Sequence, residues 1–89
     1  MQAQLRVPWR RRISEELLPS WLQLRCETGD GIYERAGALY DSWRAFARNR
    51  AAEPGSPAQF ACAMERHDFR CDRIPPLERH RIRWGVRLR

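Results

Sequence analysis

The stretch from Arg81 to Arg89 alternates strictly between two kinds of side chain, and this pattern constrains the fold more than any other. The residues of one parity are apolar, namely Ile82, Trp84, Val86 and Leu88. The other parity is basic except at Gly85. Because successive side chains of a strand point to opposite faces, a period of two predicts a half-buried β-strand whose apolar parity faces the core. Such a strand needs a partner elsewhere in the chain.

Residues upstream of this strand follow the period of α-helices. The clearest helix has one apolar stripe at helical spacing, formed by Leu39, Trp43, Phe46 and Ala47. Ser56 followed by Pro57 is typical of a helix start, and the Gly29-Asp30-Gly31 segment is typical of a turn that ends a helix. We therefore predict helices near 15–27, 35–49 and 57–67.

The remaining segments predict a small sheet. Proline cannot donate to a ladder, so Pro75-Pro76 places a loop at 74–80 between strands at 69–73 and 81–88. Ile32 and Tyr33 predict a very short strand after the first helix. One core is expected to unite the apolar residues of these elements: Leu39, Trp43, Phe46, Phe60, Met64, Ile82, Trp84 and Val86.

Three helices followed by a hairpin, with a short strand after the first helix, is the order of a winged helix, which is an α+β fold. The second and third helices would form the helix-turn-helix pair, and residues 74–80 the wing. A chain of 89 residues is long enough for one such domain with a thin core. We expect a basic N-terminal arm over residues 1–13 and one winged-helix domain over residues 14–89.

Several motifs of the chain, from Leu18 onward, are shared with a known family. They are Leu39-Tyr40 with Trp43 and Phe46, Ser56-Pro57 with Phe60 and Met64, Phe69, and the closing Trp84-Gly85-Val86-Arg87-Leu88. In these positions the chain resembles the C-terminal winged-helix domain of the poxvirus-type primase–helicases of phages and plasmids. The resemblance implies a DNA-contacting module of mobile-element replication. The helicase and primase domains have no counterpart in these residues, so the chain is expected to be a free-standing relative or a fragment.

The charge of the chain points to the same kind of partner. The net charge is +6, and all 17 basic residues are arginine. Codon bias in a GC-rich genome would explain the missing lysines, but it does not explain the excess of positive charge. Guanidinium groups suit bidentate contacts with phosphate, so we expect DNA as the partner, duplex rather than single-stranded.

Candidate contacts lie in the arm, on the second and third helices, and at the wing with its strand. The arm could line a backbone or enter a minor groove, and the other arginines could bind phosphates. Each set could also be ordinary solvated surface. On the second helix this applies to Arg44, Arg48 and Arg50, since Asp41 could pair with Arg44 or Arg48. The candidate DNA-binding residues are Arg10, Arg11, Arg12, Arg44, Arg48, Gln59, Arg66, Arg79, Arg81 and Arg83.

The third helix departs from the usual pattern of a recognition helix. Its expected exposed residues are mostly small or acidic and offer few donors to base edges: Ala58, Gln59, Ala61, Cys62, Glu65 and Arg66. Base-specific reading by this helix is therefore doubtful. The alternative function is a protein–protein module, or a small inhibitor of a host or phage factor, whose partner docks on this helix.

Other classes of protein find little support in the sequence. The three cysteines form no CxxC pair and are expected to be buried free thiols. The spacings among Cys62, His67, Cys71 and His80 match no common zinc module, so no metal or other cofactor is expected. No catalytic motif is recognisable, which argues against an enzyme. Without a signal segment or an apolar stretch long enough for a membrane, a cytoplasmic protein is expected.

Overall fold

The computed structural model describes residues 12–73 and 81–89. A short 3-10 turn, Glu15–Leu17, leads into the first helix. The elements then follow in the order α1 (Leu18–Arg25), β1 (Cys26–Arg35), α2 (Ala36–Asn49), α3 (Pro57–Arg66), β2 (Cys71–Arg73) and β3 (Arg81–Leu88). The predicted α+β class is confirmed, and the second and third helices lie within two residues of their predicted bounds.

The three strands form one antiparallel sheet in the order β1-β3-β2. β2 pairs with β3 through Cys71↔Arg83 and Arg73↔Arg81, which confirms the predicted hairpin. β1 pairs with the other edge of β3. Three helices and a three-stranded sheet in this chain order are compatible with a winged-helix-like architecture.

The first helix and first strand differ from the sequence prediction. Helix α1 ends at Arg25, not near residue 27, because Cys26 already has extended backbone (φ −129°, ψ 160°). The strand that follows has ten residues, whereas only Ile32 and Tyr33 were predicted to be extended. The glycine-rich segment expected to end the helix lies inside this strand, where it stays irregular, while the residues on both sides of it pair with β3.

A bulge divides the β1–β3 ladder into two halves. Cys26–Thr28 pair with Val86–Leu88, and Tyr33–Arg35 pair with Ile82–Trp84. Four residues of β1, 29–32, thus face the single residue Gly85 of β3. Gly31 and Gly85 have φ of +81° and +88°, a backbone region that glycine enters without the steric cost of a Cβ.

The bulge reverses which parity of β3 faces the helices. Before Gly85, the side chain of Arg83 reaches Glu65 on α3, whereas after it Val86 and Leu88 pack into the core. The prediction that one apolar parity faces the core along the whole strand is therefore wrong. Trp84 lies only half-buried on the face directed away from α3, and Ile82 is buried but does not belong to the main core cluster.

The core is built around three aromatic rings. Trp21 meets Trp43 edge-on with ring centroids 5.9 Å apart, and it meets Phe60 edge-on at 5.7 Å. Both buried indoles are satisfied, since Trp43 Nε1 donates to the Pro54 carbonyl at 2.8 Å and Trp21 Nε1 donates to Ser42 Oγ at 3.0 Å. The predicted core members Leu39, Trp43, Phe46, Phe60, Met64 and Val86 are confirmed, and Leu18, Trp21 and Cys26 join them.

The start of α3 follows the sequence signal closely. Ser56 Oγ accepts a hydrogen bond from the Gln59 backbone N–H, and Gln59 Oε1 accepts one from the Ser56 N–H. This reciprocal capping box, with Pro57 at the first helical position, satisfies two donors at the start of the helix. The side chain of Gln59 is therefore engaged in a local structural contact.

The two tryptophans that the sequence placed in one core should behave differently when truncated. Trp43→Ala is expected to cost about 3–5 kcal/mol of unfolding free energy, because it removes a fully buried ring from the aromatic cluster. Trp84→Ala is expected to cost less, about 1–2 kcal/mol, because Trp84 is only half-buried and its ring contacts one other ring, that of Tyr33. Urea unfolding followed by circular dichroism measures both. Equal losses in the two variants would contradict the bulged arrangement of β3.

Candidate nucleic-acid interface

Five arginines gather where α1, α2 and β3 end, and we call this surface the basic face: Arg25, Arg44, Arg48, Arg50 and Arg89. Arg25 is the last residue of α1, and Arg48 lies in the last turn of α2. The Arg89 N–H donates to the Arg25 carbonyl at 3.0 Å, which extends the β1–β3 ladder and brings the end of β3 beside the end of α1. All five arginines of the basic face are exposed.

Stacking on aromatic rings positions three of these arginines. The guanidinium carbon of Arg50 lies 3.6 Å from the centroid of the buried Phe46 ring, and that of Arg25 lies 5.8 Å from the same centroid. Arg44 stands over Tyr40 at 5.8 Å. A guanidinium that stacks through its plane keeps its N–H groups at the edge, where they can donate to a phosphate.

A shallow cavity of about 540 Å³ opens in the basic face. It is lined by Arg25, Ser42, Ala45, Phe46, Arg48 and Asn49. The lining contains two guanidinium groups, a hydroxyl and an amide, and it contains no carboxylate. Such a concave arrangement of donors suits an anion.

The positive charge of the basic face is largely uncompensated. Among the described residues, the one carboxylate within 4.0 Å of these arginines is that of Asp41, whose Oδ1 lies 4.0 Å from Arg44 Nη2. Arg89 differs from the other four, because its guanidinium donates to the Gln23 carbonyl at 3.1 Å and lies close enough to Glu27 to help lower the pKa of that carboxyl. The C-terminal ends of α1 and α2 offset part of the charge, but each helix end carries only about half a negative charge. The two helix ends together carry about one negative charge, whereas Arg25, Arg48 and Arg50 bring three positive charges to the same place.

The sequence-predicted site residues are only partly brought together. Arg44 and Arg48 belong to the basic face, one helical turn apart. Arg12 and Arg81 are exposed elsewhere, and Arg81 lies at the opposite end of β3 from Arg89. Arg10, Arg11 and Arg79 lie outside the described residues.

Two further candidates are held in ion pairs. Arg66 makes a bidentate contact with Glu15, with distances of 2.6 and 3.1 Å to the two carboxylate oxygens. Arg83 donates to Glu65 Oε2 at 2.7 Å and to the Phe69 carbonyl at 2.8 Å, and it is only 4% exposed. The expectation that Arg83 lies on a solvent-facing strand surface is wrong, because the bulge at Gly85 turns this parity toward α3.

Sequence reasoning missed Arg25 and Arg89 as members of a site. Their only local signal is a basic residue near the end of a predicted helix or strand, which many solvated arginines share. They meet because β1 starts directly after Arg25 and pairs with the end of β3. That pairing was not predicted.

The cysteines and possible metal ligands add no second site. Burial raises the pKa of the Cys26 thiol to about 12, so it stays protonated at neutral pH. Cys71 is half-buried, and Cys62 is exposed, contrary to the expectation of three buried thiols. Within residues 12–73 and 81–89, no three His, Cys, Asp or Glu side chains come together in a way that could hold a metal ion.

No helix in the described part of the chain is long and apolar enough to cross a membrane. No family model matches the chain, and no curated protein matches it in sequence. The function therefore has to be inferred from the surface itself.

Three ion pairs should make the stability of the fold depend on acid pH. Hydrogen bonds from Arg66, Arg87 and Arg83 hold the pKa values of Glu15, Glu27 and Glu65, respectively, below the ordinary value. A carboxyl whose pKa is lowered by folding stabilises the protein above its unfolded-state pKa, and this contribution is lost as the pH falls through its folded-state pKa. The urea midpoint is thus expected to fall as the pH drops from about 6 to about 3.

The variant carrying Glu15→Gln, Glu27→Gln and Glu65→Gln should show a flatter pH dependence of the urea midpoint. Glu16→Gln is the matched control, because Glu16 is exposed in the same segment and makes no ion pair with a described residue. A triple variant with an unchanged acid dependence would show that these pairs do not link protonation to folding.

Proposed function

We propose that this chain is a DNA-binding module with a winged-helix fold, and that it binds duplex DNA through the basic face without catalysing a reaction. The observation that carries the proposal is the gathering of five exposed arginines with little opposing charge at one end of the fold. The net charge of +6 and the resemblance to the DNA-contacting domain of primase–helicases support the same class of partner. A role in mobile-element replication would follow from that resemblance.

The geometry favours contacts with the phosphate backbone over the reading of bases. The stacked guanidiniums border a shallow cavity whose lining offers hydrogen-bond donors and no carboxylate, an arrangement that suits phosphate oxygens. Phosphate contacts fix position and carry no sequence information. The proposed module therefore binds with weak sequence preference and strong salt dependence.

The proposed surface is not the one expected of a helix-turn-helix protein. Strand β3 has eight residues, so about 25 Å separate the wing end of the strand from Arg89. On α3, Gln59 caps its own helix, Arg66 binds Glu15 and Glu65 binds Arg83. The third helix thus offers few free charged groups to DNA. A helix surface with few free charges also suits the alternative function, in which a protein partner docks on this helix.

Binding of a random duplex across a salt series tests the proposal. Each lost phosphate contact lowers the slope of log K against log salt by about 0.9, so the double variant Arg25→Gln, Arg48→Gln should lower the slope by up to about 1.8. Affinity should fall by similar factors for unrelated sequences, because the contacts are made to phosphates. Fluorescence anisotropy with two labelled duplexes of different sequence, between about 50 and about 200 mM salt, measures both quantities.

A matched control removes the same charge from another surface. Arg66→Gln with Arg87→Gln also deletes two arginines, but each of these is paired with a glutamate, at 2.6 and 2.8 Å respectively. This control should keep the slope of the unmodified protein. Equal effects of the two double variants would show that only net charge matters, and no binding at low salt would favour the protein-docking alternative.

A further inference from the structure

The sheet has an outer face that turns away from the helices. Because Arg83 reaches α3, the residues beside it on β3, Ile82 and Trp84, face the opposite way. The Trp84 N–H donates to the Arg70 carbonyl at 3.0 Å, so Arg70 lies across from Trp84. On the other side Trp84 is paired with Tyr33. One row of this face therefore reads Tyr33, Trp84 and Arg70, and the next row reads Arg35, Ile82 and Asp72. Ile82 is buried, so the open part of the face consists of the first row together with the exposed Arg35.

Two aromatic rings form the centre of this face. The ring centroids of Tyr33 and Trp84 lie 5.2 Å apart at an interplanar angle of 68°. Trp84 Nε1 donates to Asp72 Oδ2 at 3.4 Å, which orients the indole. Tyr33 is 45% exposed, and among the described residues only Leu24 is a comparably exposed large apolar side chain. Trp84 thus supports the Tyr33 ring, which remains open to solvent.

The charge around the rings is mainly positive. Arg35 lies on the same side of β1 as Tyr33, and Arg70 lies across from Trp84; both are exposed and neither makes a salt bridge with a described residue. The acid on this face is Asp72, which is held by the indole. Glu65 lines a neighbouring cavity with Arg70 and Trp84, but it is bound to Arg83.

We propose that this outer face binds single-stranded nucleic acid, with an unpaired base stacked on Tyr33 and flanking phosphates held by Arg35 and Arg70. Every base has a π-face, so an exposed aromatic ring between two cations suits unpaired bases of any sequence. Paired bases in a duplex are not available for such stacking. The outer face shares no residue with the basic face, so this site goes beyond the duplex contact proposed above and each can fail without the other.

Cross-strand aromatic pairs also stabilise sheets without any ligand. Packing explains the half-buried Trp84. It does not explain why Tyr33 stays open beside Arg35 and Arg70, which make no salt bridge within residues 12–73 and 81–89. The two roles differ in what they predict for binding. A purely structural ring would leave affinity unchanged in any variant that still folds.

The test compares two single-stranded probes of equal length, about 12 nucleotides. One probe is oligothymidylate, and the other is an abasic phosphodiester that keeps the charge and lacks bases. Tyr33→Ala should weaken oligothymidylate binding by about tenfold and leave binding of the abasic probe and of duplex DNA unchanged. Tyr33→Phe should retain the affinity, because its ring still stacks. Oligouridylate should follow oligothymidylate, since stacking does not depend on the 2′-hydroxyl.

Leu24→Ala is the matched control, because it removes the other exposed apolar side chain and should change none of these affinities. Thermal melts establish that each variant is folded. The second variant, Arg35→Gln with Arg70→Gln, should weaken both single-stranded probes and spare the duplex. The proposal is overturned if Tyr33→Ala folds and binds oligothymidylate normally, or if it weakens all probes equally. If Tyr33→Ala does not fold, unchanged single-strand affinity in the double arginine variant overturns it.

Discussion

The bulge that sets residues 29–32 of β1 against Gly85 of β3 determines the layout of the molecule. It turns Arg83 toward α3, where this buried guanidinium ties the sheet to Glu65 and to the Phe69 carbonyl. It leaves Tyr33 and Trp84 on the outer face and returns Val86 to the core. Beyond the bulge the ladder continues to Arg25 and Arg89, and so brings the ends of α1 and β3 together. The outer face therefore depends on this backbone irregularity, and the meeting of Arg25 with Arg89 depends on the regular ladder beyond it.

Two groups among the described arginines have different physical roles. Arg66, Arg83 and Arg87 form ion pairs with glutamates, and each pair connects two segments that are distant in sequence. These ion pairs help to hold the fold together. Arg25 and Arg50 instead rest on Phe46, so that an aromatic ring takes the place of a counterion. A ring steadies the guanidinium without neutralising it. The arginines that rest on a ring therefore keep a charge that can attract phosphate, whereas the charge of the paired arginines is neutralised by glutamate.

Local patterns predicted the parts of the fold that local interactions determine. The stripe of Leu39 and Trp43 predicted α2, and Ser56 with Pro57 marked the start of α3, because periodicity and capping act within a few residues. The strand β1 was largely missed, because its residues carry few apolar side chains and are extended through pairing with a strand that is remote in sequence. The one local sign of the bulge on β3 is Gly85 itself, which interrupts the basic parity of the strand.

The candidate site was predictable to a similar extent. Arg44 and Arg48 were identified because helical spacing alone places them on one face. Arg25 and Arg89 could not be joined to them without the β1–β3 ladder. Arg83 was assigned to solvent by a parity rule that holds only in an unbroken strand.

The bulge also affects how the sheet meets other chains. β1 is an edge strand, and a regular ten-residue edge would offer a row of free N–H and C=O groups to any other extended chain. Residues 29–32, which have no partner on β3, interrupt that row in its middle. Only three residues of regular strand remain on each side of them. At the opposite edge β2 has only three residues. Bulges and very short edge strands are two of the devices by which native sheets resist strand addition and aggregation, and this sheet has one at each edge.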